Sequence, residues 1–545
     1  MTVSRSVIIC AVNAVVWCGD IIAAPAFRLN SIGYLPGQLK QATLAADATR
    51  FMLIRDSDGV EVFSGTVTGP ITNADTRERL FTADFSTFTN AGLFRLDAPG
   101  AGSSAPFQIG EGIYREPFRT VTRAMYLWRC GAAVSGTYNG DTFAHEVCHT
   151  NDAWLDFVGG VAVHSNANGG WHDAGDYNKY VVNAGVTVGC MLRAWEDYRP
   201  AIERVRLDLP ERGGPLPEFL AEIKWELDWL LKMQAADGSV YHKVSTRNFG
   251  GFILPELETT PRYFAPWSSA ATADFVAMLA AGARHFREFD AAFAERCLAA
   301  AMRSQDFLAT HPDNHRADLS SFTTGTYQTR DDDDRIWALA ELWAATGNTN
   351  HLRDFEARVR GRFQTLEAAW DWGNVSNLGL LTYLFSTREG RDASLVEALR
   401  TSLLTTANKI VLTRNEHGYA RPLGTSYSWG GNGTVARQTL ILAAAYRISQ
   451  NREYRQTALD ALSYLFGRNP FGRSFVTGLG VNPPQHPHDR RSGGDQVAQP
   501  WPGYLVGGPN PGATDWHDEQ EDFRTNEIAI NWNGALIYAL AAFLD

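Results

Sequence analysis

Cysteine is scarce, with 6 in 545 residues, so a disulfide framework is excluded as the main source of stability. An excess of basic charge is also missing. Lys+Arg 49 against Asp+Glu 60 gives a net charge of -11. That excludes a broad positive field for holding nucleic acid or an anionic membrane surface. Beyond the N-terminal segment, no apolar stretch reaches membrane-spanning length without charges or turn residues, so no membrane anchor is expected. No repeat of fixed period is present, which argues against a stack of helical pairs.

What is present is core material. Hydrophobic residues make up 45% and charged residues 20%, which excludes disorder, collagen and coiled coil as global descriptions. The 16 Trp offer either a large core or apolar faces on which sugar rings can lie. The N-terminal run Val7 to Trp17 follows Arg5 and precedes Ala24-Pro25-Ala26. This pattern predicts a signal peptide over 1–26, cleaved after Ala26, and a secreted or periplasmic protein. Cys10 and Cys18 would leave with it, and Cys130, Cys148, Cys190 and Cys297 would remain.

Two parts follow. Over 27–112, short apolar or alternating runs such as Phe51-Met52-Leu53-Ile54 and Leu93-Phe94-Arg95-Leu96 read as strands. Asp56-Ser57-Asp58-Gly59 reads as a turn. The segment is expected to be a small immunoglobulin-like β-sandwich. From 113 to 545 the period becomes helical, with runs near 117–134, 178–197, 217–235, 269–286, 289–307, 333–346, 351–369, 376–386, 391–408, 431–447, 451–467 and 526–543. Either a superhelical stack or a closed double ring fits, and the irregular loops favour the ring. The longest loop, about 469–525, is rich in Pro, Gly, His, Asp and Trp, and long loops of this kind usually carry function.

Three acids stand in motifs at the two ends of the helical part. Asp173 and Asp176 lie in Gly169-Gly170-Trp171-His172-Asp173-Ala174-Gly175-Asp176-Tyr177, just before a helix. Carboxylates there can simply cap the helix. The flanking Trp171, Tyr177 and Tyr180 also suit a sugar site. Glu527 opens the terminal helix, where partial burial would raise its pKa and suit a general acid. Glycoside hydrolysis needs that combination of one protonated and one ionised carboxyl.

Several segments together resemble glycoside hydrolase family 9. They are Asp173-Ala174-Gly175-Asp176-Tyr177, Pro487-His488-Asp489-Arg490, Asn526-Glu527-Ile528-Ala529, Asn469 to Gly478, Ser426 to Asn432 and Leu505 to Pro509. Phe27 to Pro36 resembles the start of the immunoglobulin-like module in the cellulase D-like subgroup. The resemblance implies a mainly α fold, an (α/α)6 barrel behind the sandwich, and inverting endo-hydrolysis of β-1,4-glucans. It implies Asp176 as general base, Asp173 as a second holder of the water, and Glu527 as general acid. His488 and Arg490 would contact sugar hydroxyls. Inversion predicts about 6.5–9.5 Å between the Glu527 and Asp176 carboxyls. Asp489 stands where the family more often has His, a change that could alter a subsite. An exo-acting enzyme on cello-oligosaccharides or glucosamine oligomers, and a non-catalytic glucan-binding protein, are the alternatives. The expected partner is a β-glucan polysaccharide or oligosaccharide, with the chain acting as a monomer. No Ser/Thr-rich linker or separate binding module is evident, which favours soluble or amorphous glucan.

Two metal sites are expected. Cys130, Cys148, His149 and His172 offer two thiolates and two imidazoles, which suits tetrahedral zinc, though each Cys alone could be a buried apolar residue. The resemblance implies a structural zinc on this set. Asp331 to Asp334 is an acidic run that could be a solvated helix start or a calcium site. The resemblance implies calcium ligands at Asp333, Asp334 and Asp371, although Thr329-Arg330 replaces the Ser-Gly pair of the family. Trp267, Trp370, Tyr419, Trp429, Trp501, Tyr504 and Trp516 are candidate sugar platforms, with His242 and Lys243 in a loop that could face the cleft.

Overall fold

Phenylalanines build the first core. Phe27, Phe51, Phe81, Phe94 and Phe107 are buried together with Leu44, Leu53, Leu96 and Ile109. In the computed structural model, which describes residues 24–544, these side chains come from a sheet of eight strands. They are β1 (Phe27–Arg28), β2 (Gln41–Leu44), β3 (Arg50–Arg55), β4 (Glu61–Thr72), β5 (Arg79–Asp84), β6 (Gly92–Ala98), β7 (Gly102–Ser103) and β8 (Phe107–Ile109). Their order is β1-β2-β5-β4-β3-β6-β7, with β8 also on β6. The long β4 pairs with β3 through Glu61 to Thr66 and with β5 through Val67 to Thr72. One strand thus serves two faces, and the sheet closes on its core as an immunoglobulin-like sandwich. The expected leader lies outside the described residues, apart from 24–26.

Twelve long helices follow among the described residues: α1 (Arg115–Leu127), α2 (Val181–Ile202), α3 (Glu218–Leu230), α4 (Ser269–Phe286), α5 (Ala291–Thr310), α6 (Asp332–Thr346), α7 (Thr349–Arg362), α8 (Ser376–Phe385), α9 (Ala393–Asn415), α10 (Gly431–Ser449), α11 (Arg452–Leu465) and, after the short α12 (Arg490–Gly494) and α13 (Phe523–Asn526), α14 (Ile530–Ala541). Sequence composition sorts them into two rings. Every residue of α14 is buried, as is every residue of α4 from Ser269 to Ala283. A helix that is apolar all round must be enclosed. By contrast, α9 buries only Leu395, Leu399, Leu403, Ala407 and Ile410, a single stripe at helical spacing. The enclosed helices α2, α4, α6 and α8 pack in succession, and α14 packs on both α10 and α2. Outer helices lie against them, as α5 does on α4, α7 on α6 and α11 on α10. This is the (α/α)6 barrel.

Short strands also occur in this helical part. A hairpin joins β9 (Val134–Tyr138) to β10 (Asp141–His145). A small sheet runs β12 (Gly160–His164), β11 (Trp154–Leu155), β15 (Tyr263–Phe264), β14 (Lys243–Ser245), β13 (Lys179–Tyr180). Strands of two to five residues are too short to show a period. No described helix is long and apolar enough to cross a membrane.

Candidate active site

The acids stand at the N-terminal ends of inner helices. Asp173 and Asp176 precede α2, Asp371 and Trp372 precede α8, Trp429 precedes α10 and Glu527 precedes α14. All of them line one cavity of about 660 Å³. Helix N-termini carry partial positive charge, so this end of the ring favours carboxylates.

Backbone bonds lock the acidic segments together. Asp173 O accepts from Ile530 N at 2.9 Å, and Ala174 pairs with Ala529. His488 pairs with Glu527, and Gly175 O accepts from Arg490 N at 3.0 Å. A Cβ on Gly175 would lie 2.1 Å from His488 O, so only glycine allows this approach. The Asp-Ala-Gly-Asp motif is therefore a packing requirement as well as a chemical one.

Each acid has its own environment. Asp173 Oδ1 accepts from Asn183 Nδ2 at 2.7 Å and Oδ2 from the Tyr327 hydroxyl at 2.8 Å. Asp176 Oδ2 accepts from Asn178 Nδ2 at 2.5 Å. Burial pushes both carboxyls above the usual range. For Asp173 the Asp176 charge adds to the rise, whereas the Arg490 guanidinium works against it at Asp176. Cations oppose the rise at both aspartates, Lys243 at Asp173 and Arg490 with Arg262 at Asp176. Glu527 is raised well above the ordinary value, first by burial and then by the charges of Asp176 and Asp173. A glutamic acid raised well above the ordinary carboxylate range thus shares a cavity with a pair of aspartates.

His488 Nδ1 lies 2.6 Å from Gln520 O, which makes Nδ1 the protonated nitrogen and leaves Nε2 free to accept. Arg490 Nε donates to Gly250 O at 3.2 Å, and its guanidinium lies 5.6 Å from the centre of the Phe249 ring. Both residues line the cavity. Asp489 turns inward, capping the Arg491 amide at 3.2 Å and pairing with Arg491 Nε at 3.0 Å. It is not among the cavity residues, so the expected change of subsite at this position has no support.

Several expected platforms fall elsewhere. Trp429 lines the cavity and is 51% exposed. Trp370 is buried in the core under the Arg437 guanidinium, and its neighbour Trp372 faces the cavity instead. Tyr419 is buried, and its hydroxyl donates to Glu78 of the sandwich domain. Trp267 stacks on His315 at 3.9 Å, outside the acid-lined cavity. Trp501, Tyr504 and Trp516 are core residues. His242 is buried between Ser268 Oγ and Thr326 O. Lys243 is buried on Thr324 Oγ1 and Gly325 O, and burial pulls its pKa down to about 8. Unforeseen cavity residues are Tyr327, Trp372, Phe249 and Phe523. Phe523 was within reach, since it stands four residues before Glu527 and α13 turns both toward the cavity.

The expected calcium site at the acidic run finds no support. Asp371 Oδ2 pairs with Arg437, and Oδ1 accepts from Asn531 Nδ2 at 2.7 Å. Asp333 Oδ2 accepts from Val375 N at 2.7 Å. Asp334 lies deep in the barrel beside Asp274. A fixed guanidinium already supplies the counter-charge at Asp371, and the three acids do not gather as a ligand set among the described residues.

Cys130, Cys148, His149 and His172 do gather. Their ligand atoms all lie within 4.8 Å of one another. Cys130 Sγ is 3.7 Å from His149 Nδ1, and Cys148 Sγ is 3.8 Å from His172 Nε2. Tetrahedral bonds of about 2.3 Å to sulfur and 2.0–2.1 Å to nitrogen put S and N about 3.6 Å apart, so the set fits a metal ion. Glu258 Oε2 stands 3.3 Å from His149 Nε2, the usual carboxylate behind a ligating imidazole. His172 adjoins Asp173, so this cluster braces the acidic turn.

A double ring of helices with paired and opposed carboxyls in an aromatic cleft defines a glycoside hydrolase. Residues 114–540 match the model of glycosyl hydrolase family 9, residues 23–103 match the cellulase N-terminal ig-like domain, and the chain belongs to that family. It is 54% identical over 521 residues to "Endoglucanase D" of Acetivibrio thermocellus, covering 95% of this chain and 83% of that one. It is 31% identical to a "Cellodextrinase" of Butyrivibrio fibrisolvens, over 95% of this chain and 99% of the other. Among solved structures, a metagenome-derived glycoside hydrolase family 9 endoglucanase superposes with a TM-score of 0.89 at 34% identity, covering 95% of this chain and 98% of that one.

Proposed function

We propose that this chain is an inverting endo-β-1,4-glucanase acting on soluble or amorphous β-glucan. The observation that carries the reading is that Asp173, Asp176 and Glu527 line one cavity, with Glu527 raised well above the ordinary range by burial and by the charges of the two aspartates. Asp176 takes a proton from a water while that water attacks the anomeric carbon. Glu527 gives its proton to the departing glycosidic oxygen. Asp173, fixed by Asn183 and Tyr327, orients the water through its remaining lone pairs. His488 and Arg490 hold sugar hydroxyls beside the scissile bond, and Trp429 and Trp372 stack on flanking rings. The 54% identity to an endoglucanase supports the substrate class and mode. The 31% relative named a cellodextrinase supports action on short oligomers as a second reading.

The four-residue cluster holds a structural zinc, because two thiolates and two imidazoles leave no position for water. The chain is exported, with residues 1–26 removed. N-terminal sequencing of protein recovered outside the cytoplasm should begin at Phe27. The test of mode is a time course on carboxymethyl cellulose, cello-oligosaccharides, xyloglucan and chitosan oligomers. A steep fall in viscosity with few new reducing ends is expected. Disaccharide as the first and dominant product, with viscosity preserved, would overturn endo action.

A further inference from the structure

One cleft aromatic is carried by a loop that the other domain holds. Trp429 lies in the connection between α9 and α10. Its ring meets Phe523 at 5.5 Å and is otherwise half exposed, so its place follows from the backbone that carries it. On the downstream side Gly431 N donates to Ser428 O at 2.9 Å, making a tight turn. Gly430 has φ +69, and a Cβ there would lie 2.5 Å from Trp532 Nε1, so the turn presses directly on the cleft wall. On the upstream side stands Tyr427, with the buried Arg421 guanidinium 4.1 Å from its ring centre.

The Tyr427 hydroxyl donates to Asp75 Oδ2 at 2.5 Å. Asp75 belongs to the sandwich domain, in the turn between β4 and β5. The same oxygen lies 3.1 Å from His417 Nε2, at the other end of the loop. Asn73 Oδ1 accepts from Gly418 N at 2.9 Å, and Thr43 Oγ1 donates to Gly418 O at 3.0 Å. Asp75 is therefore one atom on which both ends of the 417–427 segment converge. Burial acts to raise its pKa, but the bonds from His417 and Tyr427 outweigh it and hold the carboxyl at about 2. It stays ionised over the working range of an enzyme, and its bonds are of the stronger charge-assisted kind.

We propose that Asp75 is a positioning residue of the cleft: through Tyr427 it sets the turn that places Trp429 against a sugar ring. The sandwich domain thereby shapes a subsite it does not touch. The claim rests on the reading of the cleft as a β-glucan site.

The test uses the full chain with cellohexaose as substrate and compares W429A, D75A, D75N, Y427F and the double variant D75A/W429A. KM, kcat, product pattern and thermal unfolding are measured on each. W429A, D75A and Y427F should each raise KM roughly two- to tenfold, leave kcat within about twofold and shift the products in the same direction. D75N keeps an acceptor for the hydroxyl but loses the charge, so its effects should run in the same direction as those of D75A and be smaller. The double variant should be no worse than W429A, because both changes remove one contact. Lower thermal stability in D75A and Y427F with unchanged KM and products would mean that Asp75 only fastens the domains, and would overturn the proposal. So would KM effects that multiply in the double variant. If W429A itself changes neither KM nor products, the sugar-platform reading fails and this proposal falls with it. If W429A changes them and Y427F and D75A do not, this proposal alone falls. Y427F removes a single oxygen, so it remains a valid probe if D75A does not fold.

Discussion

The Asp173 carbonyl accepts a hydrogen bond from the Ile530 amide at 2.9 Å. That bond ties the turn bearing the pair of acids to the start of the last inner helix, three residues beyond Glu527. The two halves of the chemistry, over 350 positions apart in the sequence, are thus fixed by main chain and not by side-chain contact alone. Gly175→Ala would drive a methyl group to 2.1 Å from His488 O. The backbone must move, and a displacement near 1 Å in a catalytic segment costs roughly 100-fold in kcat. Overpacking should cost about 1–3 kcal/mol of stability. Thermal unfolding alongside kcat checks this, and a wild-type rate would contradict the stitched arrangement.

The pH profile of kcat/KM should be bell-shaped. The Asp173/Asp176 pair must be deprotonated for catalysis, so activity rises as pH climbs through the apparent pKa of the pair. Glu527 must be protonated, so activity falls as pH passes its raised pKa. The Arg490 charge lowers both Asp176 and Glu527. Arg490→Ala should therefore move both limbs to higher pH, while Arg490→Lys moves them less. Limbs that stay in place would remove Arg490 from the electrostatics of the site.

Trp370 and Trp372 give a paired test. Trp370 is buried beneath Arg437, and Trp372 lines the cavity. Trp370→Ala should cost about 3–5 kcal/mol of stability. Trp372→Ala should raise KM and leave the unfolding temperature almost unchanged. The reverse pattern would exchange their roles.

These two residues also show what the sequence could and could not reveal. The rings were legible because enclosure leaves a mark on composition: α14 and α4 are apolar on every side, and α9 on one stripe. The acids were legible because Gly175 and its neighbours must be what they are for the segments to meet. The segment 363–375 has no regular period, so nothing in it says which of Trp370 and Trp372 points to the cavity. The burial of Tyr419 cannot be read from its own segment, because its partner, Glu78, comes from the other domain. The acidic run at 331–334 reads as a cation site from composition alone, whereas Asp331 pairs with Arg335, Asp332 with Arg330 and Arg362, and Asp333 with the Val375 amide.

The metal cluster supplies the next prediction. Purified protein should contain one zinc per chain. Cys148→Ala should lose it, with a lower unfolding temperature and a lower kcat, because His172 holds the residue next to Asp173. Metal analysis of the unmodified protein showing no stoichiometric zinc would contradict the assignment.

The central claim is the division of labour between Asp176 and Glu527. A β-cellobioside with a dinitrophenyl leaving group needs no protonation to depart, whereas a cello-oligosaccharide does. The decisive measurement is the turnover of both substrates by Asp176→Asn and Glu527→Gln. Glu527→Gln should lose at least roughly 100-fold on cellotetraose and keep most of its rate on the aryl substrate, while Asp176→Asn should fail on both. Near wild-type turnover of cellotetraose by either variant, or equal loss on both substrates in Glu527→Gln, would contradict the account.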